Sequence, residues 1–147
     1  MRMLVLFSIL FCFSVAQAAE ENIFYQAPYE IHYNTFNTSF IDEKTAAAYG
    51  IVRSKAKALL NVAVLKRLEN GKKIPVSAEV VGQTYDLILT KPLDFLEVRE
   101  QQAIYYLAQF NIEHKIPFYF TLSVKVDPNQ APIKLQFKKI LWIDGKD

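Results

Sequence analysis

Histidine is the residue type best suited to acid–base or metal chemistry near neutral pH, and the chain carries two, His32 and His114. A metal site needs several ligands that converge at a defined spacing. Two isolated histidines supply no such pattern, so we predict no metal and no cofactor. A metal or enzymatic site around His32 stays open as an alternative.

Nucleophilic catalysis needs a hydroxyl or thiol held against a base. The sequence has no Gly-x-Ser-x-Gly motif, and its single cysteine, Cys12, lies in an N-terminal apolar run. No catalytic residue is therefore assigned, and we predict that the protein is not an enzyme.

Arginine and tyrosine offer recognition chemistry instead. Arg53 follows a predicted helix end and could either bind an anionic group or brace the helix through carbonyl and carboxylate contacts. Several tyrosines could line a recognition surface, because tyrosine is enriched at interfaces, or could be partly buried core residues. They are Tyr29, Tyr33, Tyr105, Tyr106 and Tyr119.

Residues 1–18 have the features of a cleaved export signal. Arg2 supplies a positive start, Leu4–Val15 is an apolar run, and Ala16-Gln17-Ala18 matches the small-x-small cleavage pattern. The apolar run is shorter than the roughly 20 residues that span a bilayer. We therefore predict cleavage after Ala18, no transmembrane anchor, and a single domain over residues 19–147.

Cleavage would remove Cys12, so the mature domain would hold no disulfide and would depend on packing for its stability. The chain has 17 basic and 15 acidic residues, and Arg2 is the only charged residue in the predicted signal. This near balance gives no case for a nucleic-acid partner. An exported, cysteine-free domain of this size is predicted to lie in the bacterial periplasm.

The elements that must position these residues are strands. In Phe118–Val126 apolar and polar residues alternate, a period typical of a strand with one buried and one solvated face. About seven such strands, mostly joined by short turns, predict a mainly β, antiparallel two-sheet sandwich, immunoglobulin-like in size, with one short helix. A small closed β-barrel is the alternative.

Local signals place the helix and one hairpin. Asp42 is a good N-cap and Gly50 a good C′ residue for a helix over Asp42–Tyr49. Asn70-Gly71 between two extended runs predicts a tight type I′ hairpin turn, because both residues tolerate positive φ. Lys73–Val81 is then the predicted return strand.

Two irregularities and one further strand are predicted in the second half of the chain. Gly82 indicates a turn or bulge, and Thr84–Leu89 is predicted to be a short strand. A bulge near Lys138-Lys139 would restore the alternation of the last strand by turning Ile140 inward.

Two stretches carry a resemblance to known proteins. They are Tyr29–Phe40 and Ala48–Val64, the latter including Ala-Tyr-Gly-Ile-Val-Arg-Ser-Lys. They resemble a family of exported proteins of unknown function from gammaproteobacteria, and the similarity extends to Ala103-Ile104-Tyr105-Tyr106. The resemblance implies a periplasmic β-sandwich domain and implies no activity. The candidate binding residues within the matching motifs are His32, Asn34, Arg53 and Asn61.

Three functional hypotheses follow. The first and preferred one is a non-catalytic domain that binds an envelope protein or another envelope component. The second is a carrier that holds a small ligand in a cavity between the sheets. The third is an enzyme or metal-binding protein with a site near His32.

We expect the exported protein to begin at Ala19, because the cleavage pattern ends at Ala18. Intact-mass measurement of protein purified from the periplasm tests this expectation. Retention of residues 1–18, or a lipid on Cys12, would contradict it.

Overall fold

The computed structural model describes residues 22–146, so the predicted signal peptide and its cleavage after Ala18 lie outside the described residues. This part of the chain contains one α-helix, α1 (Glu43–Ala48), a 3-10 turn at Thr38–Phe40, and ten strands. The strands are β1 (Asn22–Gln26), β2 (Tyr29–Asn37), β3 (Lys57–Arg67), β4 (Lys73–Pro75), β5 (Glu79–Tyr85), β6 (Thr90–Leu93), β7 (Leu96–Glu100), β8 (Ala103–Asn111), β9 (Pro117–Lys125) and β10 (Ile133–Ile140).

The strands form two antiparallel sheets. The large sheet has the order β1-β2-β3-β8-β7, with β4 also paired to β3, and the small sheet has the order β10-β9-β5-β6. The predicted two-sheet sandwich is confirmed, with three strands more than expected. The small closed barrel is wrong, because within residues 22–146 both sheets are open and no strand of one pairs with a strand of the other.

Strand β9 supplies much of the core. Phe118, Phe120, Leu122 and Val124 are at most 2% exposed, whereas Tyr119 between them is 41% exposed. The predicted alternation of Phe118–Val126 is therefore confirmed. Burial of these side chains, each contributing about 1.5–3 kcal/mol, holds the small sheet against the large one.

Helix α1 forms where its capping residues predict it. The Asp42 carboxylate accepts hydrogen bonds from the backbone N–H and the hydroxyl of Thr45, at 2.9 and 2.6 Å, and Gly50 takes φ +64° after the helix. Ala46 packs with Ile51 and Leu59 on the outer side of the large sheet. Within residues 22–146 there is no helix long and apolar enough to cross a membrane.

The hairpin at Asn70-Gly71 is confirmed, but its turn is not type I′. The Gly71 N–H donates to the Leu68 carbonyl at 2.9 Å, and the Leu68 N–H donates to the Lys72 carbonyl at 2.8 Å. Gly71 has φ +81°, whereas Asn70 is not among the residues with positive φ. This is a three-residue loop whose last residue is left-handed.

The predicted return strand Lys73–Val81 is wrong because the chain changes sheet within it. Only Lys73–Pro75 pairs with β3, and β5 begins at Glu79 in the small sheet. Between them, the Ala78 N–H donates to the Tyr106 hydroxyl of the large sheet at 2.7 Å. This bond gives the crossing backbone a partner away from either ladder.

Gly82 marks neither a turn nor a bulge. It lies in a regular ladder opposite Leu122 and Leu93. A Cβ on Gly82 would lie 2.5 Å from Leu122 Cδ2 and 2.7 Å from the Thr121 carbonyl oxygen. Glycine is required here because a neighbouring strand approaches too closely for any side chain.

Two predictions for strand ends are also wrong. The ladder of β10 runs without a bulge to Ile140, which pairs with Pro117 and stays 44% exposed. Lys139 stays on the side of β10 that faces the other sheet. A charged side chain can lie there because this end of the strand borders an open cleft. The predicted strand Thr84–Leu89 is instead the end of β5 at Tyr85, followed by a turn into β6.

Replacing Gly71 by valine is expected to lower the free energy of unfolding by about 1 kcal/mol or more, because β-branched residues resist positive φ. An added Cβ would meet no atom within 4 Å, so the loss would report backbone conformation. Urea denaturation of Gly71→Val beside Gly71→Asn, which tolerates this conformation better, measures the effect. Identical midpoints for both variants and the parent would be inconsistent with the turn described.

Candidate functional site

Three of the four candidate residues lie on one face. His32 and Asn34 belong to β2 and Asn61 to β3, and Asn34 is directly opposite Asn61 in the ladder. Paired residues of neighbouring strands point to the same side of a sheet. All three therefore lie on the outer face of the large sheet, where Asn61 Oδ1 is buried without a hydrogen-bond partner among the described residues.

A charged cluster around Glu30 borders this group. Glu30 is 2% exposed; its Oε1 accepts from Arg67 at 2.5 Å, and its Oε2 lies 2.9 Å from Lys73 Nζ and 3.2 Å from His32 Nε2. Hydrogen bonds from Lys73 and Arg67, more than the bond from His32, lower the pKa of Glu30 to about 2. The cluster is thus a carboxylate held ionised by two cations.

This arrangement does not suit a metal ion. Both oxygens of Glu30 already face cationic side chains, and a bound cation would be repelled by Arg67 and Lys73. Nowhere in residues 22–146 do three or more His, Cys, Asp or Glu side chains converge as a metal-binding group.

Arg53 is separate from the other candidates. Its guanidinium donates to Glu43 Oε1 at 3.0 Å and to the Ser39 carbonyl at 3.3 Å. It therefore connects the first turn of α1 to the preceding 3-10 turn. Of the two roles considered for Arg53, this geometry is that of the structural brace.

The outer face of the small sheet carries a second candidate site, here called the open face. Alternate residues of β5, β9 and β10 point outward, and Val81, Tyr85 and Tyr119 are 50, 40 and 41% exposed. A groove of about 490 Å³ runs across this face. Its lining includes Gln83, Tyr85, Leu87, Tyr119, Thr121 and Gln136.

Lysines border the aromatic part of the open face. Tyr119 stands between Tyr85 of β5 and Lys138 of β10 in the ladder, and the Tyr85 and Tyr119 ring centroids are 6.2 Å apart. Lys134 continues the cationic character along β10, whereas Lys125 of β9 lies opposite Glu79 of β5 in the ladder. The face can offer stacking, amide hydrogen bonds and positive charge to a ligand.

The hairpin tip, Asp86–Leu89, extends from this face and was missed as a site by sequence reasoning. Leu87, Ile88 and Leu89 are 52, 75 and 54% exposed. The signal that could have found it is an apolar triplet directly after Asp86, a residue type that favours turns. By hydrophobicity alone the triplet is typical of the end of a strand, and it therefore falls within the predicted strand Thr84–Leu89.

Glu30→Gln is expected to destabilise the fold at neutral pH, because Arg67 and Lys73 would lose their counter-charge. A carboxylate whose folded pKa is lowered contributes stability above its unfolded value, and that contribution is lost as the pH falls through the folded value. The difference in urea midpoint between parent and variant should therefore be largest above pH 4.5. It should shrink as the pH falls and almost disappear near pH 2.

Glu113→Gln is the matched control, because Glu113 is an exposed carboxylate. This variant should follow the parent at every pH. A gap between parent and Glu30→Gln that does not change between pH 6 and pH 2 would show that the Glu30 charge does not stabilise the fold.

Comparison with models of protein families matches residues 26–144 to Domain of unknown function (DUF4426). The crystal structure of a DUF4426 family protein from Pseudomonas aeruginosa PAO1 superposes with a TM-score of 0.73 at 37% sequence identity, covering 84% of this chain and 96% of that chain. Comparison with curated proteins found no match.

Two structures of FetP from uropathogenic Escherichia coli share the fold at much lower identity. A copper-bound variant has a TM-score of 0.58 at 10% identity, covering 81% of this chain and 93% of that chain. FetP as isolated after recombinant expression in the periplasm has a TM-score of 0.58 at 12% identity, with coverages of 82% and 93%. Since the family model spans most of the sequence and the Pseudomonas protein is similar over nearly its whole length, this chain belongs to the DUF4426 family.

Proposed function

We propose that this protein is a periplasmic, non-catalytic interaction domain that binds an envelope protein through the open face. The observation that carries the proposal is the exposed Tyr85–Tyr119 pair beside the groove, with Lys138 next in the ladder. Tyrosine gives large contact area with little loss of side-chain freedom, and it is enriched where proteins bind one another.

The chemistry of the open face suits an extended, partly acidic partner. Amide and hydroxyl groups of Gln83, Thr121 and Gln136 line the groove beside the rings and can pair with a backbone. Lys134 and Lys138 alternate with Gln136 along β10 and point outward with it. Complementary charge would speed encounter with an acidic segment, and the rings would supply contact area once it is bound.

The carrier hypothesis has less support. It requires free space between the sheets, but the interior there holds stacked rings. Phe120 and Phe137 stack with centroids 4.6 Å apart, and Phe110 meets Phe120 edge-on at 5.4 Å. Side chains packed at this spacing leave little room for a ligand.

The enzyme and metal hypothesis has less support as well. His32, its central residue, contacts a carboxylate already paired with Arg67 and Lys73. Such a carboxylate orients and stabilises the cluster but is a poor metal ligand or general base, because its negative charge is compensated.

Export to the periplasm is part of the proposal. It is supported by the Leu4–Val15 apolar run and the Ala16-Gln17-Ala18 pattern. The fold is also found in FetP, which was recombinantly expressed in the periplasm.

Photo-crosslinking amino acids at Tyr119, Lys134 and Lys138 are expected to trap one discrete envelope protein in cells, because these positions surround the groove. Matched controls are Glu69 and Lys72, exposed residues of the β3–β4 hairpin on the large sheet. Analysis of crosslinked bands by mass spectrometry measures the result. The proposal is wrong if the controls trap the same protein equally well, or if no band forms while His32→Ala abolishes a measured turnover or a bound metal.

A further inference from the structure

The hairpin tip presents three consecutive aliphatic side chains to solvent. Leu87, Ile88 and Leu89 are each more than half exposed, and Ile88 reaches 75%. Consecutive exposed apolar residues lower solubility, so in a water-soluble domain they call for a functional reason. They lie at a turn, where no strand period dictates an apolar residue.

The backbone of the tip is largely satisfied from within. Asp86 Oδ1 accepts from the Ile88 and Leu89 N–H groups at 3.2 and 2.9 Å. The Asp86 N–H donates to the Leu89 carbonyl at 3.3 Å, and the Tyr85 hydroxyl donates to the Leu87 carbonyl at 2.9 Å. Paired peptide groups lose little on leaving water, so this turn is suited to an apolar environment.

Leu87 also adopts a conformation that favours glycine. Its φ is +75°, a region in which a side chain bearing Cβ is strained. Glycine or asparagine would form the same turn with less strain but would remove an aliphatic side chain from the tip. The strained leucine therefore indicates that the apolar side chain itself is needed.

We propose that the hairpin tip inserts into the interfacial layer of a phospholipid leaflet containing anionic lipid. Insertion of an apolar tip requires interfacial aromatic residues and cationic residues next to it, and the residues around the tip include both. Tyr85 and Tyr119 lie in the ladder row beside the tip, and tyrosine favours the boundary between acyl chains and headgroups. Lys138 lies opposite Tyr119 in the ladder and can pair with a headgroup phosphate.

The shape of the tip favours a bilayer over a protein pocket. Three successive side chains around a tight turn point in different directions, so one rigid pocket cannot enclose all of them, whereas fluid acyl chains can. The other candidate for binding the tip is a second copy of the chain, in which Ile88 of one copy would enter the groove of the other. Reciprocal contact would bring Lys138 of one copy close to Lys138 of the other, and like charges oppose it.

This inference goes beyond the proposed function. The two share Tyr85, Tyr119 and Lys138, but insertion is tested at Ile88, which the proposed function does not use. Insertion would hold the open face close to a leaflet. A partner bound there would then be a protein at the membrane.

Ile88→Trp reports insertion directly. Its fluorescence should shift to the blue when vesicles containing phosphatidylglycerol are added, and brominated lipid should quench it. The parent protein has a single tryptophan, Trp142, and supplies the background spectrum. Vesicles of phosphatidylcholine alone should give a weaker response, because the electrostatic attraction is missing.

Vesicle sedimentation of the parent protein gives the second measurement. Ile88→Ser is expected to weaken partition into phosphatidylglycerol vesicles about tenfold, since most of one aliphatic side chain no longer enters the leaflet. Val52→Ser is the control, because Val52 is 56% exposed before β3, against Gln109 of the large sheet and outside both the tip and the open face. It should partition like the parent.

The proposal is overturned if Ile88→Trp emission does not respond to either vesicle while its urea midpoint matches the parent. Equal partition of the parent and Ile88→Ser also overturns it. Concentration-dependent dimers that Ile88→Ser abolishes, without vesicle binding, would assign the tip to a second copy instead. None of these outcomes alters crosslinking at Lys134, which tests the proposed function separately.

Discussion

A chain of aromatic contacts holds the two sheets together, and the rest of the structure depends on it. Tyr33 of the large sheet stacks on Phe137 of the small sheet at 4.2 Å, and Phe137 stacks on Phe120 at 4.6 Å. Phe120 then meets Phe110, which returns the contacts to the large sheet. The described residues contain no cysteine, so this packing stabilises the domain without help from a disulfide.

Filling the interior moves recognition to the surfaces, and the two outer faces differ. The outer face of the large sheet is partly covered by α1 and carries the Glu30 cluster, in which two cations neutralise one carboxylate. On the open face of the small sheet, Lys134 and Lys138 form no ion pair with any other described residue. A face whose polar and charged groups are already paired has less to offer a partner than one whose groups are exposed.

The hairpin tip shows how one polar side chain can make an apolar surface possible. Asp86 accepts two backbone N–H groups of the turn and is itself 3.8 Å from Lys91. These hydrogen bonds lower the pKa of the Asp86 carboxyl, chiefly through the Leu89 N–H. The Asp86 carboxylate thereby holds the backbone of the turn, and the aliphatic side chains remain exposed to solvent.

Features that depend on near neighbours in the chain could be predicted from the sequence. The period of two in Phe118–Val126, the caps of α1 and the left-handed Gly71 all result from the local backbone and from which side of a strand meets water. The grouping of His32 and Asn34 on one face also follows, since they are two residues apart in one strand.

Tertiary structure alone decided which strands became neighbours, and the remaining features result from that choice. Glu30 meets Arg67 and Lys73 because β2 pairs with β3 and β3 with β4, a contact between residues far apart in sequence. Gly82 is required by the approach of Leu122. Where the chain crosses between the sheets, the Tyr106 hydroxyl accepts a hydrogen bond from the Ala78 N–H. The apolar triplet of the tip is compatible with a buried strand or an exposed turn, and only the end of β5 at Tyr85 left it in solvent. Hydrophobicity records that a side chain favours burial, whereas the packing of distant segments determines whether burial is available.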